Sequence, residues 1–295
     1  MSKRQATKKK TLFLTLLAFI TACSPSPVVS SSPSPLSPII SPSPKHTSTP
    51  QPSLPTPSVT PLACLSLPGE VIEGILDSTN PPQAFFLYLP PCYESQADKR
   101  YPVLYLLHGQ TYTADQWIRL GAVDAANHLI LSGESEPFII VFPDDRYWNV
   151  PSGTKFGERL VNALIPYIDE TYRTLPDPSH RAIGGLSRGA GWALRLGLTR
   201  PDLFRIIGLH SPVVFQGDAP HLPIWLRDLP TPPFVYMDIG DQDRELKMAL
   251  WLESQFNEYG LPYEWHLYSG AHTEEYWQAH VEEYMNWYAS WWNTP

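Results

Sequence analysis

Eight short runs of this chain have the apolar character of strands, and five longer stretches have that of helices. Val71–Leu76 and Phe85–Leu89 are rich in β-formers and flank Asp77-Ser78-Thr79-Asn80-Pro81-Pro82, a cluster of turn residues, so they predict an antiparallel hairpin. Val103–Leu107 is apolar without alternation, as in a strand covered on both faces. Ile139–Phe142, Arg181–Ile183, Ile206–Leu209, Phe234–Ile239 and Glu264–Tyr268 complete the set. Helical stretches fall between them, at about 116–131, 156–172, 188–198, 244–259 and 274–291. Strands alternating with helices predict an α/β fold: a mostly parallel central sheet, an N-terminal antiparallel hairpin, and helices on both faces.

The first 61 residues do not take part in that pattern. Lys3, Arg4, Lys8, Lys9 and Lys10 precede a short apolar run, Leu12–Ile20, which ends in Ile20-Thr21-Ala22-Cys23. The run is too short to span a bilayer comfortably. A basic start, an apolar middle and small residues before a cysteine resemble the lipobox of bacterial lipoproteins. The resemblance implies a signal peptide over residues 1–22, cleavage before Cys23, a lipid on its thiol, and an extracytoplasmic protein anchored to the cell membrane. An ordinary secretory signal is the alternative. Residues 24–61 are almost all Ser, Pro and Thr, with no apolar face to bury, and read as a disordered, extended spacer behind Cys23. Residues 62–295 remain, the size of one large domain.

Charge and thiols then narrow the partners. Loss of residues 1–22 removes five basic side chains and leaves 16 basic against 29 acidic, a balance of −13. That excludes nucleic acid as a partner and leaves the lipid as the contact with membrane. Cys64 and Cys92 are the remaining thiols. In an exported domain a disulfide between them is the favoured reading over two free thiols.

Active groups of parallel sheets gather just past the carboxyl ends of strands. There this chain places His108-Gly109-Gln110, then Pro143-Asp144-Asp145, then Ser187, then Gly240-Asp241-Gln242-Asp243, then Ser269-Gly270-Ala271-His272. Ser187 sits in Gly185-Leu186-Ser187-Arg188-Gly189, between a strand and a helical run that stops at Pro201. A Gly-x-Ser-x-Gly turn in that setting exposes the serine hydroxyl above the sheet, and Ser, then Asp, then His is the chain order of α/β-hydrolases. A serine needs a base, and the base an orienting carboxylate. His272 is the expected base. Asp241 and Asp243 both follow the strand, and Asp243, deeper in the loop, is the expected acid. The N–H groups of Gln110 and Arg188 are the expected oxyanion donors. His108 and His210 also follow strands and are assigned to lining the site or to structural hydrogen bonds. No metal-ligand cluster or nucleotide loop occurs, so neither metal nor cofactor is expected.

Tyr88-Leu89-Pro90-Pro91-Cys92-Tyr93, Tyr101-Pro102-Val103-Leu104-Tyr105-Leu106-Leu107-His108-Gly109, Trp117 and Gly185-Leu186-Ser187-Arg188-Gly189 together resemble the putative esterase (esterase D-like) family. Feruloyl esterases, acetyl-xylan-type carbohydrate esterases, siderophore esterases and the antigen 85 mycolyltransferases belong to it. The resemblance covers 66–290. It implies an α/β-hydrolase fold and a serine carboxylic-ester hydrolase with Ser187, Asp243 and His272 as its triad. Cys92 stands where the family often has Gly, which favours a disulfide private to this chain. The implied substrate is a small-molecule or polysaccharide ester, with acetyl or feruloyl groups on carbohydrate foremost. Trp117, Trp148, Tyr276 and Trp277 are expected to line its groove, and 212–232, rich in proline, resembles a cap. Acyl transfer to a sugar or lipid alcohol, and a non-catalytic carbohydrate-binding surface protein, are the alternatives.

Overall fold

The computed structural model describes residues 63–149 and 155–293. The expected signal peptide, Cys23 and the spacer lie outside these residues. A single sheet of eight strands organises what is described, in the order β1-β2-β4-β3-β5-β6-β7-β8. β1 (Glu70–Leu76) and β2 (Gln83–Leu89) form the hairpin the turn cluster predicts, and β2 pairs antiparallel with β4 as well. β3 (Val103–Leu107) leads into α1 (Gln116–Arg119) and α2 (Ala122–Ser132), and β4 (Ile139–Pro143) follows. Next come α3 (Phe156–Arg159) and α4 (Ile165–Thr171), joined by a wide π-type turn at Leu160–Leu164. The remainder alternates strictly: β5 (Arg181–Leu186), α5 (Arg188–Thr199), β6 (Ile206–His210), α6 (Leu222–Arg227), β7 (Phe234–Gly240), α7 (Leu246–Tyr259), β8 (Glu264–Tyr268) and α8 (Glu274–Ser290). From β3 and β4 through to β8 every pairing is parallel.

Side chains leave alternate residues of a strand toward opposite faces, so one sheet feeds two cores. Val103, Tyr105, Leu107, Ile183, Ile207 and Met237 pack against α3 to α7. Leu104, Leu106, Ile140, Ala182, Ile206 and Tyr236 pack against α1, α2 and α8. Each such side chain taken from water contributes roughly 1.5–3 kcal/mol.

Three local features depart from the expected pattern. The first predicted helix is two, because Gly121 adopts φ 99° and breaks the run between α1 and α2. The second is interrupted by its π-type turn. The proline-rich stretch 212–232 contains a helix, α6, where Pro223 sits in the first turn and costs no hydrogen bond. Leu222 and Leu226 of α6 are buried, and Asp218 before it takes a bidentate ion pair from Arg195 of α5. At the other end of the molecule Cys64 and Cys92 form a disulfide, with their Cα atoms 5.1 Å apart. It ties a single 3-10 turn, Ala63–Ser66, to the exit of β2.

Candidate active site

The turn from β5 into α5 allows little else at its key positions. A Cβ on Gly189 would lie 2.1 Å from the Leu107 carbonyl oxygen, and one on Gly185 would meet the Gly189 backbone at 2.5 Å. With both bare, strand and helix close to within one residue of each other. Ser187, the residue between them, is held at φ 53°, ψ −116°. A non-glycine residue there stores on the order of 1–3 kcal/mol of strain. The Ser187 N–H donates to the His210 carbonyl at 2.9 Å, so β6 holds the turn in place.

Two loops bring partners to that hydroxyl. His272 follows β8, and its Nε2 lies 2.9 Å from Ser187 Oγ. Asp243 follows β7, and both its carboxylate oxygens lie 2.9 Å from His272 Nδ1. With the carboxylate accepting, Nδ1 carries the proton and Nε2 is free to accept the serine O–H. Burial pushes the Asp243 carboxyl up. The hydrogen bond and charge of His272, the Glu245 N–H and the Ser211 hydroxyl outweigh it and hold the group below its ordinary value. Asp241 does other work. Its Oδ1 accepts the Gly270 N–H at 3.0 Å and its own N–H donates to the Tyr268 carbonyl at 2.7 Å, which clamps the two loops together.

The third side is the loop after β3. The Asp145 N–H donates to His108 Nε2 at 2.7 Å, so the ring's proton sits on Nδ1, which donates to the Gly109 carbonyl at 2.8 Å. Burial pushes the His108 pKa down and keeps the ring neutral in this structural role. Gly109 to Tyr112 make a tight turn closed by the Tyr112 N–H on the Gly109 carbonyl, with Thr111 at φ 72°. Gln110 lies on this turn and faces the same cleft as Arg188. Arg188 is the first residue of α5, where backbone N–H groups have no partner within the helix and the helix dipole favours negative charge.

Ser187 and His272 open into a cleft of about 560 Å³, lined on its far sides by Tyr112, Val213, Phe215, Arg244 and Trp277. Of the four aromatic residues expected to line it, Trp277 does so, and stands edge-on to His272 with ring centroids 5.0 Å apart. Trp117 does not. It is fully buried and donates its indole N–H to the Leu107 carbonyl at 2.9 Å. Tyr276 is buried too, with its hydroxyl on Asp238 at 2.7 Å. Trp148 is half-buried outside the cleft, beside the Arg188 guanidinium. Both Trp117 and Tyr276 sit in first turns of helices, whose inward face is the sheet, so core packing claims them. The lining residues passed over, Val213 and Phe215, come just after β6 and Arg244 just after β7. The same strand-end rule that points to Ser187, Asp243 and His272 points to them. Among the described residues no group of three or more His, Cys, Asp or Glu is placed to hold a metal ion.

A 178-residue stretch is 30% identical to an endo-1,4-beta-xylanase/feruloyl esterase of Xylanibacter ruminicola, covering 57% of this chain and 24% of that protein. The chain thus spans about a quarter of that relative's length. A solved ferulic acid esterase superposes with a TM-score of 0.68 at 27% identity, over 76% of this chain and all of that one. An S-formylglutathione hydrolase from Staphylococcus aureus, 17% identical, shares the fold with a TM-score of 0.65, over 75% of this chain and 97% of that one. Residues 77–288 match the family described as "Putative esterase", and the chain belongs to that family of α/β-hydrolases.

Proposed function

We propose that this protein is a serine carboxylic-ester hydrolase acting on acyl esters of carbohydrate, acetyl or feruloyl. One observation carries the reading: the unbroken line of hydrogen bonds from Asp243 through His272 to Ser187 at the edge of an open cleft. Ser187 Oγ attacks the ester carbonyl carbon as His272 Nε2 takes the hydroxyl proton, and Asp243 stabilises the imidazolium. The carbonyl oxygen becomes an oxyanion facing the N–H groups of Gln110 and Arg188. The C–O bond to the alcohol breaks, and the alcohol leaves with the proton from His272. Water repeats the sequence on the acyl-enzyme and releases the acid. Tyr112, Phe215 and Trp277 give the cleft aromatic walls suited to a phenolic acyl group or a sugar ring. The relatives named for ferulic acid esters support the same substrate class. The test is a panel of acetyl, feruloyl and long-chain acyl esters. Turnover of acetyl or feruloyl esters that Ser187→Ala abolishes is the expected result; turnover untouched by that change refutes it.

For location we propose lipid anchoring through Cys23 outside the cytoplasmic membrane, on the strength of the basic, apolar and small-residue order of residues 1–23. Metabolic labelling with a radioactive fatty acid should mark the parent and leave Cys23→Ala unmarked. Label retained in the variant would end the idea.

A further inference from the structure

Gln116 is a fully buried amide at the start of α1, and it touches two things. Its Oε1 accepts the Gly109 N–H at 2.8 Å, and its Nε2 donates to Glu274 Oε1 at 3.1 Å. Gly109 opens the turn that presents Gln110 to the cleft. Glu274 begins α8, two residues after His272. Arg119, one turn along α1, donates to the same Glu274 oxygen at 3.2 Å and is itself held by Asp115 at 2.7 Å. The loop that carries Gln110 and the helix that follows His272 are therefore joined through two side chains, Gln116 and Glu274.

We propose that Gln116 is a positioning residue that sets the Gly109–Tyr112 turn relative to His272, and so fixes where the Gln110 N–H meets the developing oxyanion. The inference rests on the ester-hydrolase reading above. Its physical basis is that this turn does not hold itself. Thr111 sits in the left-handed region, and such a conformation persists only where its surroundings over-determine it. The Gly109 carbonyl is gripped twice, by the Tyr112 N–H and His108 Nδ1, and its N–H is gripped by Gln116. A partner for both a backbone N–H and a carboxylate must carry an acceptor and a donor, and the Gln116 carboxamide supplies them on two separate atoms without titrating. Asn is one carbon shorter than the span. An oxyanion donor displaced by even a fraction of its hydrogen-bond length stabilises the transition state less while leaving ground-state binding alone.

The test compares the parent, Gln116→Leu, Glu274→Ala and Glu274→Gln on one p-nitrophenyl acetate assay, with Ser187→Ala as the floor. Phenylboronic acid is the probe of the site in its tetrahedral, oxyanion-bearing form. Gln116→Leu should lower kcat by about 10²-fold with KM within about threefold, the size of effect for loss of one oxyanion donor. Its affinity for the boronic acid should fall in parallel. Glu274→Ala, which takes away the acceptor of the Gln116 Nε2 without emptying the space Gln116 fills, should lower kcat of the folded protein by about tenfold at unchanged KM, with a Tm below the parent's because a buried donor loses its partner. Glu274→Gln, which still accepts from Gln116, should stay within about twofold of the parent. A folded Gln116→Leu with parental kcat, or a loss confined to KM with boronic acid binding intact, overturns the proposal. Should Gln116→Leu fail to fold, Glu274→Ala decides, assayed well below its Tm: parental kcat overturns, a tenfold loss in kcat at parental KM with weakened boronic acid binding supports. A parent that turns over no ester overturns the hydrolase reading and this inference together, whereas an active parent with insensitive variants overturns only the inference.

Discussion

Two His–Asp pairs lie at the same end of this sheet, and their geometry is nearly the same. His272 Nδ1 meets Asp243 at 2.9 Å, and His210 Nδ1 meets Asp238 at 2.7 Å. The difference is in what surrounds them. His210 ends β6 directly opposite Asp238 in the β6–β7 register, and both are completely buried. Tyr276 and Tyr284 each donate a hydroxyl to Asp238 Oδ2 at 2.7 Å, and the Tyr288 hydroxyl lies 3.0 Å from His210 Nε2. Gly208 leaves the space for Tyr288, since a Cβ there would stand 1.6 Å from its hydroxyl. Burial, then the Asp238 charge, push the Tyr288 phenol far above its ordinary pKa, so it stays protonated and does no nucleophilic chemistry. His272 and Asp243 come instead from loops one step past the strands, and the second ring nitrogen finds a serine in a cleft. A His–Asp pair by itself is a polar joint. It becomes a catalytic base when its other nitrogen reaches a nucleophile that substrate can also reach.

The sharpest way to break this contrast is to make the same change in each pair. Asp243→Asn puts an amide where a carboxylate must stabilise the imidazolium, and kcat should fall by about 10⁴-fold, close to the Ser187→Ala floor. Its stability should fall by no more than about 1.5 kcal/mol. Asp238→Asn should do the reverse. Three donors converge on Asp238, from His210, Tyr276 and Tyr284, and an amide offers one acceptor oxygen and two new donors. The expected cost is about 3–5 kcal/mol of stability, the scale for breaking a buried charged pair, with kcat of the folded fraction within about tenfold of the parent. The paired measurement is kcat and a urea unfolding midpoint for both variants. An inactive, fully stable Asp238→Asn would mean that the sealed pair takes part in the chemistry.

A smaller effect separates the two carboxylates of the β7 loop. Asp241→Ala loses the hydrogen bond to the Gly270 N–H and loosens the loop that carries His272. A drop in kcat of less than about tenfold is expected, since the triad keeps its own contacts and only a net hydrogen bond of about 1 kcal/mol is lost. If Asp241→Ala falls to the Ser187→Ala floor while Asp243→Asn remains active, the acid has been assigned to the wrong residue.

The same two pairs show what the sequence makes legible. Strand runs such as Val103–Leu107 coincide with β3 because a strand covered on both faces has no polar positions to blur its ends. Ser187, Asp243 and His272 stand out because each lies just past such a run. His210 could be given a structural role from its place, but its partner could not, because Asp238 lies inside Phe234–Gly240 and register between β6 and β7 is set by tertiary packing. The sequence points Trp117 and Tyr276 to the groove, where the structure does not place them, for a related reason. Loop proximity is visible in sequence, whereas the direction a helical side chain faces depends on which layer the helix joins. The break at Gly121 and the π-type turn at Leu160–Leu164 likewise follow from how helices bend over this sheet.

The smallest effect concerns proton linkage at the open pair. The Asp243 carboxyl is held below its ordinary value despite burial, so its ionised form is favoured in the folded protein. A depressed carboxylate contributes stability in full above its unfolded pKa, about 3.9, and loses it as pH falls through the lower folded value. Asn at 243 cannot titrate. All other carboxylates respond to acid alike in both proteins and drop out of the difference. The parent should therefore exceed Asp243→Asn by about 1.5 kcal/mol or less above roughly pH 5, the scale of a hydrogen bond to a charged group. That gap should close as the pH is lowered below about 4. Urea midpoints of the two proteins across this range measure it directly. A gap that widens in acid would mean that the Asp243 carboxyl is raised in the folded state. Burial would then outweigh His272, Glu245 and Ser211.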